Sequence, residues 1–70
     1  MTRLEQKAKA EFEKHAKETL AVEQIADALY AFGSELACLR LAQAYRYCGD
    51  RAVANYSEPR KTWFFRLETL

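Results

Sequence analysis

The architecture of this chain turns on one segment, Val22-Glu23-Gln24-Ile25-Ala26-Asp27-Ala28-Leu29-Tyr30-Ala31-Phe32-Gly33-Ser34-Glu35-Leu36-Ala37-Cys38-Leu39. Its apolar residues Val22, Ile25, Leu29, Phe32, Leu36 and Leu39 recur at intervals of 3, 4, 3, 4 and 3, the spacing of a seam that packs one helix on another. Further on, Cys38, Leu41, Tyr45 and Cys48 add a stripe on a different side. A helix apolar on two sides has to be covered on two sides. Together these patterns predict one long central helix over about residues 20–48. Gly33-Ser34 falls in its middle, where a glycine costs about 1 kcal/mol relative to alanine. Either the helix breaks there, with Ser34 capping a new one, or it continues and Gly33 admits a close neighbouring backbone. The seam holds its phase from Phe32 to Leu36, which favours the continuous helix. Gly49 then stands where a glycine ends a helix.

Upstream, Thr2-Arg3-Leu4-Glu5 has the pattern of a capping box, in which Thr2 accepts from the Glu5 amide and Glu5 reaches back. A first helix is expected over about residues 3–18, with a thin apolar stripe of Leu4, Ala8, Phe12 and Ala16. Glu5 with Lys9 and Glu13 with Lys17 are oppositely charged pairs in the favourable order along it. Downstream, residues 52–57 and 62–68 are rich in strand formers, and Glu58-Pro59-Arg60-Lys61 between them is a turn sequence. Alternation along the last strand puts Trp63, Phe65 and Leu67 on one face and Phe64 with Arg66 on the other. The fold class expected is α+β: two N-terminal helices, the second long and central, then an antiparallel β-hairpin, in a single domain spanning 1–70.

Half of the 70 residues are apolar and 30% are charged, a composition that folds rather than staying disordered. A core of this size supplies no more than about 3–5 kcal/mol, so chains of this length often lean on disulfides, metals or oligomers. Cys38 and Cys48 lie ten residues apart in one helical pattern, about 15 Å along a helix and beyond disulfide reach. Free thiols, a charged beginning without a leader and no apolar run of membrane length point to the cytoplasm and away from a membrane. The Asn55-Tyr56-Ser57 sequon has no role there. His15 is the only histidine and sits among charges on the first helix. One histidine and two scattered cysteines do not make a zinc site, and no phosphate loop or nucleophile motif is present. The chain reads as a non-enzyme without cofactors.

Three kinds of function remain. Apolar surface in excess of what one thin first helix can cover, and a hairpin with unpaired edges, point to a protein-binding module. Phe64 and Arg66 are its expected centre, a large aromatic beside an arginine being typical of interface hot spots, with Tyr56, Arg60 and Lys61 beside them. The seam Val22, Ile25, Leu29, Phe32, Leu36 and Leu39 is expected to join copies into a homodimer or higher oligomer, with Leu36 among its most sensitive positions. The residues Tyr30-Ala31-Phe32-Gly33-Ser34-Glu35-Leu36-Ala37-Cys38-Leu39-Arg40-Leu41, Tyr45-Arg46, Tyr56-Ser57-Glu58 and Lys61-Thr62-Trp63-Phe64-Phe65 resemble small phage-encoded proteins, among them anti-defence proteins of the anti-CRISPR type. The resemblance covers roughly residues 30–67 and brings no catalytic motif. It implies an inhibitor that occupies a surface of a host protein or complex. The chain lacks the negative charge with which many such inhibitors mimic nucleic acid, its net charge being +1.

The alternative is nucleic-acid binding, through Arg51, Arg60, Lys61 and Arg66 beside Tyr56, Trp63 and Phe64, a cationic surface with rings on which bases stack. Ile25-Ala26-Asp27-Ala28-Leu29 also resembles, loosely, the first helix of a helix-turn-helix. A third reading is a structural role in which self-assembly is the whole function.

Overall fold

A computed structural model describes residues 2–68. The elements are, in chain order, α1 (Arg3–Ala16), β1 (Ala21–Ile25), β2 (Ala28–Gly33), α2 (Glu35–Tyr47), β3 (Ala52–Ser57) and β4 (Thr62–Glu68). The four strands make one antiparallel sheet in the order β1-β2-β4-β3. This is a small α+β fold, but its architecture is not two helices followed by a hairpin.

The correction centres on residues 20–48, where no long helix forms. Ala26 and Asp27 make a tight turn between Ile25 and Ala28, which face each other across β1 and β2. Within β2, Leu29 and Ala31 are buried while Tyr30 and Phe32 are only partly so, the period-two alternation of a strand. The six seam residues therefore do not all share one side. Val22 and Leu29 enter the core. Ile25 and Phe32 lie on the opposite face of the sheet, since they pair with Ala28 and Phe64 rather than with inward residues. Leu36 and Leu39 are 55% and 46% exposed on α2. The seven-residue spacing that suggested a helix was equally a strand, a two-residue turn, a strand and the start of a helix. Ile25-Ala26-Asp27-Ala28-Leu29 is likewise a hairpin turn and not a helix of a DNA-binding motif.

Ser34 follows the last residue of β2 and caps α2, its hydroxyl accepting from the Ala37 amide at 3.2 Å. Glu18 holds that junction from the other side: the Ser34 amide and hydroxyl donate to its carboxylate at 3.1 and 2.8 Å. At the far end of α2, Gly49 takes a φ of 89°. Its amide and that of Asp50 then reach back to the carbonyls of Arg46 and Tyr45, at 2.9 and 3.0 Å, the closing pattern in which glycine tolerates the left-handed turn. Thr2 and Glu5 form the reciprocal cap of α1.

Both helices lie on one face of the sheet. Ala8, Phe12 and Ala16 of α1 and Ala37, Cys38, Leu41 and Ala42 of α2 share a core with Val22, Leu29, Ala31, Ala52 and Phe65 of the strands. Phe12, Tyr45 and Phe65 stack edge-on and tilted at its centre, with ring centroids 5.2–5.6 Å apart. β3 and β4 do pair, but as half of a four-stranded sheet in which β4 is central. That placement pairs β4 on both sides, whereas a free-standing hairpin leaves one of them open.

Candidate functional site

Two helices cover one side of four strands, and among the described residues no element covers the other. Three aromatic side chains gather on this open face. Tyr30 and Phe32 project from β2, and Phe64 projects from β4 opposite Phe32. Tyr30 and Phe32 stack nearly parallel, 6.2 Å apart and 12° from coplanar, and Tyr30 meets Phe64 at 5.8 Å. All three are half-buried. Each shields its neighbours in part, and ring surface remains open to solvent.

Two arginines flank the rings. Arg60, in the turn between β3 and β4, lays its guanidinium over Phe32 with 4.4 Å from carbon to ring centroid. The same group holds Glu23 of β1 at 3.0 Å. Arg66 lies beside Tyr30 in the β2–β4 register, donates from Nε to the Tyr30 hydroxyl at 3.1 Å and pairs with Glu68 at 3.1 Å. Glu68 first, then the Tyr30 hydroxyl, push the Arg66 pKa above its ordinary value. Arg51 approaches the other Glu68 oxygen at 3.8 Å. The charges on this face are thus mostly paired with one another.

Its edges are less available. On β1, the Gln24 amide donates to Glu5 at 3.0 Å and the Leu20 amide just before the strand donates to Glu13 at 2.8 Å. Lys9 donates to the Leu20 carbonyl at 2.6 Å. On β3, Arg46 donates to the Ala52 carbonyl at 2.7 Å and the Tyr56 amide donates to the Asn55 side chain at 2.8 Å. Edge groups bonded to the protein's own side chains are poor templates for an added strand, so the face is the stronger candidate.

Of the residues read from the sequence as partner-binding, the fold brings Phe64, Arg66 and Arg60 together. Tyr56 does not join them. It sits opposite Trp63 on the helix-covered side of the sheet and packs on that ring at 6.1 Å. Lys61 stays in the turn, its amide donating to the Glu58 carbonyl at 3.3 Å and its φ positive at 52°. The sequence reading does not single out Tyr30 or Glu23 for this site, and it places Phe32 in the seam. The alternation of aromatics at Tyr30 and Phe32 was the signal that could have found them, masked by a helical spacing that fits the same residues.

The remaining chemistry is sparse. Cys38 is buried, and burial pushes its thiol up to about 11. Cys48 is exposed, and both thiols are free. His15 pairs with Glu11 at 3.2 Å on the surface of α1 and meets the Tyr45 ring edge-on. Among the described residues no group of three or more His, Cys, Asp or Glu is placed to hold a metal, and no helix is long and apolar enough to cross a membrane. An apolar groove of about 310 Å³ opens between the helices over Leu29 and Leu67. Compared with known proteins, the chain matches no family model, no curated protein and no solved structure.

Proposed function

We propose that the chain is a small binding module, without catalysis of its own, that engages a protein partner through the open face of its sheet. The observation that carries this reading is the cluster of Tyr30, Phe32 and Phe64 on a face that neither helix covers. Half-buried rings beside arginine are what interface hot spots are made of. Self-paired charges around them supply the polar rim. An inhibitor that occupies a surface of a host protein is the form of this function that the resemblance to small anti-defence proteins implies. Immobilised protein is expected to retain one partner from its native host. Phe64→Ser and Arg66→Ala should lose that partner with unchanged melting temperatures. Equal retention by all three overturns the reading.

One observation favours nucleic acid instead: a guanidinium stacked on Phe32 beside two further rings offers surface on which bases could stack. Against it, Glu23 and Glu68 hold the arginines that a phosphate backbone would need. Anisotropy of labelled single-stranded and duplex DNA decides this, because phosphate contacts weaken steeply between about 50 and 200 mM salt. Salt-sensitive binding lost in Phe32→Ser transfers the function to nucleic acid.

A further inference from the structure

Arg60 and Glu23 are 37 residues apart in the chain and lie on opposite sides of Phe32, yet their side chains meet at 3.0 Å. The guanidinium bridges the ring, stacked on it at 4.4 Å, and offers its edge to a carboxylate. Stacked on an aromatic and holding an acid through one Nη at 3.0 Å, an arginine is already arranged for carboxylate recognition. Among the described residues, the acid now in that place belongs to the protein itself. Resting on the reading of this face as a binding surface, we infer that Glu23 is an internal stand-in for an acidic side chain of the partner, and that Arg60 is a strap released to it.

The two arginines of the face differ in how firmly they are held. Arg66 has two partners, Glu68 on its own strand and the Tyr30 hydroxyl. Arg60 has one acid from the opposite edge of the sheet, and both side chains of that pair are 47% exposed. Exposed pairs of this kind are weak, because water and salt compete with them. A partner segment that sets an apolar group on Phe32 and Phe64 and a carboxylate beside it keeps the Arg60 interaction and returns Glu23 to water. Its chemistry is thereby stated: an acidic residue next to an apolar or aromatic one.

Benzoate, a carboxylate on a ring, is the probe. Its titration is followed by NMR on the Phe32 and Phe64 ring protons and the Arg60 Nε–H. Glu23→Gln keeps the side-chain shape and removes the competing acid, so benzoate is expected to bind about two- to fivefold tighter than to the unaltered protein. Glu23→Ala has to give the same gain, and Glu23→Gln/Arg60→Ala has to lose it. No gain in either single variant, or a gain that survives without Arg60, overturns the inference. The titration involves no protein partner, so its failure is separate from a failure of partner capture through Phe64 and Arg66.

Discussion

Gly33 has no room for a side chain. A methyl group there would lie 2.5 Å from a terminal carbon of Leu20 and 3.3 Å from the Glu18 carboxylate. Leu20 is 1% exposed, so it has to repack rather than swing into water. Gly33→Ala is expected to destabilise by about 1–3 kcal/mol, the usual result of overfilling a packed site. For a domain of this size a thermal melt reads that as a drop of about 4–8 °C per kcal/mol. An unmoved melt means that Leu20 repacks freely. The same scale reverses the weight of two leucines. Leu36, expected to be mid-seam, is 55% exposed, whereas Leu41 is fully buried. Leu41→Ala should cost about 2–5 kcal/mol and Leu36→Ala within about 0.5 kcal/mol of nothing. Urea midpoints of the two variants, compared side by side, test the register of α2.

At the scale of elements, α1 and the loop that follows it are fastened to the sheet and to the start of α2 by carboxylates as well as by Ala8, Phe12 and Ala16. Glu13 accepts from the Leu20 amide and then from Lys9, Glu5 from its own cap at Thr2 and then from the Gln24 amide, and Glu18 from Ser34. Each bond favours the ionised acid, so all three carboxyls titrate below their ordinary value of 4.5 in the folded protein. A carboxyl depressed by folding contributes stability that is complete above the unfolded value and fades as pH falls through the folded one. Stability should therefore decline on acidification below about pH 4.5. The variant Glu5→Gln/Glu13→Gln/Glu18→Gln should start lower at pH 7 and decline less. Parallel pH profiles of the urea midpoint would show that these contacts do not tie α1 down. The turn between β1 and β2 is a second element-level weakness, since Ala26 holds a φ of 55°, where side chains are strained and glycine is not. Ala26→Gly is expected to stabilise the hairpin by about 0.5–1 kcal/mol, again by melting.

For the whole molecule, the decisive feature is that one sheet has two unlike faces. Trp63, Phe65 and Leu67 of β4 pack toward the helices, and Phe64 and Arg66 point the other way. Trp63→Ser should thus unfold or markedly soften the protein, while Phe64→Ser should leave a cooperative melt and remove binding. The reverse outcome would exchange the two faces and move the binding surface to Trp63. Self-association through a helical seam has lost its basis, because Val22, Ile25, Leu29, Phe32, Leu36 and Leu39 are divided among the core, the open face and the outside of α2.

What was legible in the residues themselves is local. The cap at Thr2 and Glu5, the glycine that closes α2, the proline-bearing turn and the alternation along β4 each depend on neighbours within a few positions. Their energies are settled by backbone geometry wherever the segment lies. The segment from Val22 to Leu39 was not legible in this way. Its spacing suits a helix and a hairpin alike, and local preference does not separate them. Tertiary structure decided it: as strands, β1 and β2 bring Ala31 onto Phe65 and Phe32 onto Phe64 and complete the bonding of β4, whereas a helix would have left β4 at an unpaired edge. The open face has the same origin. Tyr30 and Phe32 come from β2, and Arg60, Phe64 and Arg66 from β4 and the turn before it, about thirty residues later, and only the pairing of β2 with β4 makes the two groups neighbours.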